Sequence, residues 1–302
     1  MEAASDAALL REVKLDLASA LLARHRVRLR TGCDAIDECL GGGFPVRGIT
    51  EIAGESSAGK TQLALQLLFQ AQLPLAHGGL QGGALFLHTE GGDAPVERLR
   101  QIGAAFAERW TSLGATCDRL CEHIFIERVD TADMLMSTLR YRVPGLLAAN
   151  RVRLIVIDSI AALFRTYMDD NLPQRSALLM SLAAEMKRIS EQMHVAFIVV
   201  NQVTGGGFHP PTAQAKRAAL GLTWSHCVNT RVLLSRDTPH KSIMTPDLPA
   251  GVSGGSAQHT PSRAGRRTLR VLLSPCVEPG SCAYTIDSGG VRDVDDGQYQ
   301  AK

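Results

Sequence analysis

The residue types best suited to phosphate chemistry sit in a few short stretches. Gly54-Glu55-Ser56-Ser57-Ala58-Gly59-Lys60-Thr61 matches G-x-x-x-x-G-K-[ST] in full. It follows an apolar run, Ile49–Ala53, and opens a helical pattern from Thr61, the placement that cradling a phosphate requires. The glycines let backbone N–H groups curl around phosphate oxygens, and the start of the helix adds its dipole. In that frame Lys60 reaches the β- and γ-phosphates of a nucleotide and the Thr61 hydroxyl ligates a magnesium ion. ATP with Mg²⁺ is therefore the expected ligand pair.

Three further polar residues close apolar runs in the same way. Leu154-Ile-Val-Ile ends on Asp158, a carboxylate at the mouth of a buried strand, suited to holding the magnesium through water. Leu85-Phe-Leu-His-Thr ends on Glu90, placed to take a proton from the attacking water if its strand lies beside that of the phosphate loop. Val195–Asn201 ends on Gln202, whose amide can hydrogen-bond the γ-phosphate and report its loss to the loop that follows. His88 reads as a core residue. Cys117-x-x-x-Cys121-x-His123 lacks a fourth ligand at usable spacing, so no zinc site is expected there.

Positioning these groups at one edge requires a parallel sheet, and the chain alternates accordingly. Strand-like runs at Ile49–Ala53, Ala84–His88, His123–Glu127, Arg153–Asp158 and Val195–Asn201 are separated by helical patterns. The clearest helix sets Leu178, Leu182, Met186, Ile189 and Met193 on one face. Thr230–Leu234, Thr268–Ser274 and Cys282–Ile286, joined by short or turn-rich links, read as antiparallel additions to the same sheet. The expected fold is α/β: a mainly parallel twisted sheet flanked by helices, with antiparallel strands added at the C-terminal side. Residues 1–28 read as a short helix and a basic linker; Arg24, Arg26, Arg28 and Arg30 alternate along and just past it, either solvated or touching a DNA backbone or a partner. Residues 29–292 form the core, with mobile loops at 203–221 and 237–265, and 293–302 form a disordered tail.

Charge and composition narrow the classes. Lys and Arg number 32 against 30 Asp and Glu, a net charge of +2, so any nucleic-acid affinity must come from a local patch. Hydrophobic residues make up 45%, enough for a sizeable core, yet no stretch of 18 apolar residues exists. No membrane partner is expected. Seven cysteines without framework spacing read as reduced thiols and an intracellular setting.

Taken in order, GESSAGKTQ, HTEGG, LIVIDS and VVNQVTGG resemble the eukaryotic and archaeal branch of RecA-like recombinases. The opening Thr31–Gly43 and the close Leu272-Leu273-Ser274-Pro275-Cys276 are similar to that branch too. Ala53–Leu67, Gln72–Gly79 and Ala219–Trp224 resemble one paralogue group within it, the X-ray repair cross-complementing group. The resemblance spans 29–236 and 266–292. It implies a RecA-like core that binds ATP and DNA, single-stranded or junction, in homologous recombination repair in the nucleus. It also implies a heterodimer with the C-type recombinase paralogue and assistance to the main strand-exchange recombinase. Carried over by position, the first DNA loop runs from Phe164-Arg165-Thr166 to Arg175, and the second, 203–221, holds Lys216 and Arg217. Several departures stand out. The family's full N-terminal helical domain is not seen in the 28 residues before the core, nor is a Phe-x-x-Ala polymerisation motif. Leu273 stands where an acid usually precedes Ser-Pro-Cys, and the family's Phe after Glu90 is absent. Slow or assembly-dependent DNA-stimulated ATP hydrolysis is expected. Two other readings remain: an active DNA-dependent ATPase that exchanges strands, and a RecA-like regulator with no DNA role.

Overall fold

Strands in which nearly every residue is apolar must be covered on both faces, and the computed structural model shows how this is done. It describes residues 18, 26–90, 92–165, 172–204, 217–218, 220–236 and 265–294. Nine strands follow one another across the sheet: β12 (Gly290–Arg292), β11 (Ser281–Asp287), β10 (Arg267–Leu273), β9 (Thr230–Arg236), β3 (Ile49–Gly54), β7 (Ala196–Thr204), β6 (Val152–Asp158), β4 (Gly83–His88) and β5 (Ile124–Arg128). Pairing is parallel from β9 through β3 to β5 and antiparallel from β9 to β12. A two-residue strand β8 (Arg217–Ala218) pairs antiparallel with the end of β7. β1 (Arg28–Leu29) and β2 (Phe44–Pro45) form a separate small ribbon.

The period of two along each central strand divides the core. Ile52, Ala84, Phe86, Leu154, Val156, Ile198 and Val200 face α2 (Lys60–Gln70) and α3 (Val96–Arg109). Ile49, Leu85, Leu87, Ile155, Ile157, Phe197 and Val199 face the other layer. That layer contains α5 (Ala132–Ser137), α6 (Val143–Ala149), α7 (Leu172–Met193) and α8 (Gly221–Cys227), with a π-helical stretch, Thr138–Arg142, between α5 and α6. Between α3 and β5 lies α4 (Cys117–Cys121), and α1 (Asp34–Cys39) precedes β2. In α7, Leu182, Met186 and Ile189 of the expected stripe are buried, Leu178 and Met193 are partly buried, and Leu179 and Ala183 are buried beside them.

Two expectations change. Residues 203–221 are not a single loop: Val203 and Thr204 continue β7, pair with Ala218 and Arg217, and α8 begins at Gly221. The backbone hydrogen bonds of an antiparallel ladder order those flanks, leaving 205–216 outside the described residues. Arg28 is not linker but strand, opposite Pro45. The expected N-terminal helix, most of 237–265 and the tail beyond residue 294 lie outside the described residues. Among those described, no helix is long and apolar enough to cross a membrane, and no three His, Cys, Asp or Glu side chains form a metal-binding group.

Candidate nucleotide site

The C-terminal ends of the parallel strands open into a cleft of about 380 Å³, lined by Gly54, Ser56, Ser57, Lys60, Thr61, Glu90, Asp158, Ser159, Gln202 and Val203. Parallel sheets present ligand sites at this edge because every connecting loop and helix start gathers there.

The phosphate loop leaves β3 at Gly54 and enters α2 at Gly59. Gly59 sits at φ +101, and a Cβ there would lie 2.4 Å from Ile286 Cδ1. A Cβ on Gly54 would lie 2.5 Å from the Leu234 carbonyl oxygen. Strands β9 and β11 therefore press on the loop from behind, and only glycine fits. Tyr284, fully buried on β11, donates its hydroxyl to the Ala58 carbonyl at 2.8 Å. No side chain caps α2, so the first N–H groups of this 11-residue helix remain for a ligand. Lys60 Nζ donates to the Glu55 carbonyl at 2.8 Å, folded back on its own loop. Burial pulls the Lys60 ammonium below its ordinary value, opposed by the charges of Asp158, Glu90 and Glu55.

Thr61 Oγ1 donates to Asp158 Oδ2 at 2.7 Å, so a hydroxyl and a carboxylate meet at the strand mouth. Burial pushes the Asp158 carboxyl above the usual carboxylate range; the Thr61 bond and Lys60 counteract this, while Glu90 adds to it. Thr89 clamps the neighbouring strand ends: its N–H donates to the Asp158 carbonyl at 3.0 Å, and its hydroxyl exchanges bonds with the Ser159 backbone at 2.7 and 2.8 Å.

Glu90 lines the same cleft, although the strand adjacency on which its expected role depended is not present. Its strand, β4, is not beside β3; β7 and β6 lie between them. The crossover after α2 passes over two strand positions that later parts of the chain fill. Glu90 is brought in by side chains instead: Gln202 Nε2 donates to its Oε1 at 2.9 Å, Arg165 at 2.8 Å and Ser159 Oγ at 3.5 Å. His88 is buried on β4, as anticipated.

The arginines carried over as DNA contacts are placed less openly. Arg165 is turned to Glu90 in a half-exposed ion pair. Arg175 lies in the first turn of α7, its Nε buried without a hydrogen-bond partner among the described residues. Arg217 is in β8, and Lys216 lies outside the described residues.

Sequence reading missed Ser159, Tyr284 and, most of all, Glu51. Glu51 is a fully buried carboxylate in the middle of β3. It accepts from Asn201 Nδ2 at 2.5 Å and Trp224 Nε1 at 2.9 Å, and pairs with Arg231. The signal was a lone acid inside Ile49-Thr50-Glu51-Ile52-Ala53, which a buried strand tolerates only when the acid is paired.

The donor set fits a magnesium nucleotide: backbone N–H groups and one lysine for phosphate, a hydroxyl–carboxylate pair for the cation, and a carboxylate at the far wall. The chain is similar to known proteins over most of its length. The Rad51 family model matches residues 23–250. The DNA repair protein XRCC3 of Bos taurus is 40% identical over 276 residues, covering 88% of this chain and 74% of the relative. The XRCC3 homolog of Arabidopsis thaliana is 34% identical over 287 residues, covering 87% and 92%. The Mus musculus XRCC3 is 37% identical over 278 residues, covering 88% and 75%.

Proposed function

The chain belongs to the Rad51 family as an XRCC3-like paralogue with a RecA-like core, and from this premise we propose that it binds ATP with Mg²⁺ and serves homologous recombination repair of DNA. The observation that carries the reading is the Thr61–Asp158 bond at 2.7 Å beside Lys60, a cation site and a phosphate site in register at one strand edge. ATP supplies a γ-phosphoryl group open to attack, and magnesium supplies the charge that gathers its oxygens.

The chain's own residues do the rest. Lys60 exchanges the Glu55 carbonyl for phosphate oxygens, and partial desolvation strengthens that contact. Thr61 and Asp158 would hold the cation, whose charge would neutralise the phosphate oxygens. Glu90 accepts the proton of the attacking water, while Gln202, already on Glu90 Oε1, orients that carboxylate. Arg165 shares the same oxygen and so competes for the base. This supports slow hydrolysis that DNA stimulates, since phosphates drawing Arg165 away would free Glu90. Lys216, Arg217 and Arg175 complete the proposed DNA contacts by charge, suited to phosphates rather than bases.

Leu273, 42% exposed at the end of β10, stands where an acid of a neighbour-facing Ser-Pro-Cys turn is expected. This chain then contributes weakly to a neighbour's nucleotide site while keeping a full site of its own. A heterodimer with a second, C-type paralogue, strengthened by ATP, follows by linkage, together with assistance to the main strand-exchange recombinase and a nuclear place of action. The test is co-purification with that paralogue, with and without ATP, together with electron microscopy of the pure chain on single-stranded DNA. Retention that increases with ATP and an absence of regular filaments are expected. Regular helical filaments of the pure protein would favour an active recombinase instead.

A further inference from the structure

The four elements that meet at Glu51 are the ones a nucleotide signal would have to join. β3 runs from Glu51 into the phosphate loop within three residues. β7 carries Asn201 and Gln202, level with Ala53 and Gly54 of β3. α8 follows the chain segment 205–216 and carries Trp224. β9 carries Arg231, opposite Glu51 in register.

Each link is a specific bond. Trp224 Nε1 donates to Glu51 Oε1 at 2.9 Å, and Asn201 Nδ2 donates to the same oxygen at 2.5 Å. The Gln202 N–H donates to Asn201 Oδ1 at 2.8 Å, and Gln202 Nε2 donates to Glu90 Oε1 at 2.9 Å. Glu51, Asn201 and Trp224 are all fully buried. In so dry a setting, displacing one donor strands an acceptor, and the network responds as a unit. Arg231 neutralises the carboxylate from the other side and leaves Oε1 to the two neutral donors. The indole could have packed in this apolar layer without its N–H; the acid beneath it fixes its depth and rotation.

We propose that Glu51 is a positioning residue that ties α8 to Gln202, so that nucleotide at Glu90 and Gln202 changes the environment of Trp224. This rests on the cleft being the ATP site. Any shift of the Gln202 backbone toward a γ-phosphate pulls on Asn201, loosens its bond to Glu51 Oε1, and changes the share left to the indole. Residues flanking 205–216 are thereby sensitive to the nucleotide, and the reverse holds by thermodynamic reciprocity.

The chain has two tryptophans, Trp110 and Trp224. Trp110 lies against Phe106 and His77, far along the chain from this network. In Trp110→Phe the fluorescence reports Trp224 alone. Titration with a non-hydrolysable ATP analogue and magnesium should change its emission, with ADP giving a smaller change. Asn201→Ala in the same background should bind the analogue within about threefold of the parent, a loss of under 1 kcal/mol, yet lose the emission change. Calorimetry in parallel separates two failures. Binding with no change in Trp224 emission, or a change that survives Asn201→Ala, overturns the relay alone. No binding at all removes the ATP reading and the relay with it. If Trp110→Phe does not fold, the difference between wild type and Trp224→Phe isolates the same signal and is judged by the same outcomes.

Discussion

The phosphate loop at the end of β3 and the Glu90 cluster at the end of β4 face one cleft, yet they are held by different means. The loop is fixed through its backbone: two glycines wedged against β9 and β11, a buried tyrosine on the Ala58 carbonyl, and a helix start with no side-chain cap. Glu90 is half exposed and held by three side-chain donors: Gln202 and Ser159 at other strand ends, and Arg165 after the 3-10 turn Ile160–Phe164, an exposed arginine that water can replace. Backbone packing is costly to rearrange, whereas an exposed ion pair contributes about 0–1 kcal/mol. On the proposed reading of the site, its phosphate-binding half is pre-formed and its hydrolytic half adjustable, the arrangement expected of a protein that uses nucleotide as a switch.

Glu90→Gln should break the comparison most sharply. The amide cannot accept the water's proton, so turnover falls by about 10²- to 10⁴-fold, while ATP affinity, set by the loop, stays near the parent value. Single-turnover hydrolysis beside equilibrium binding measures both. An unchanged, measurable rate would remove Glu90 from this role.

Asp158→Asn should act on both halves at a smaller scale. Loss of the carboxylate weakens magnesium-dependent nucleotide binding by roughly 10- to 100-fold, as seen when groups around a metal are removed. The sign for stability is opposite. Burial raises the Asp158 pKa in the folded state, so its contribution is most favourable at low pH and is lost as pH rises through that raised value. At neutral pH the nucleotide-free Asn variant should therefore melt higher than the parent, and the gain should disappear in acid. A lower melting temperature at neutral pH would show that the Thr61 bond outweighs burial.

Arg165→Gln should give the smallest effect. The pair is half exposed on both sides, so stability should move by less than about 0.5 kcal/mol. Basal turnover should rise by about two- to fivefold as Glu90 loses a competing donor, with KM unchanged. A fall in turnover would make Arg165 a support of the base rather than a competitor.

Legibility in the sequence follows the same divide. The eight long strands were readable to within a few residues because long apolar runs between turn residues admit few alternatives. The turn from Gly54 into the helix at Lys60 was readable because its glycine spacing is local. Strands of two or three residues, β1, β2, β8 and β12, carry too little pattern to register. The role expected of Glu90 depended on β4 lying beside β3, and strand order across a sheet is not written in any one segment. Glu51 was passed over because its partners, Asn201, Trp224 and Arg231, lie 150 to 180 residues away.

The central claim is that a pre-formed phosphate loop binds nucleotide through Lys60. Calorimetric titration of magnesium–ATP into the wild-type chain and Lys60→Ala tests it most directly. One site per chain is expected in the wild type. In Lys60→Ala, loss of a charge-assisted contact costs about 1.5–3 kcal/mol, roughly 10- to 150-fold in Kd. Binding of Lys60→Ala as tight as wild type would contradict it.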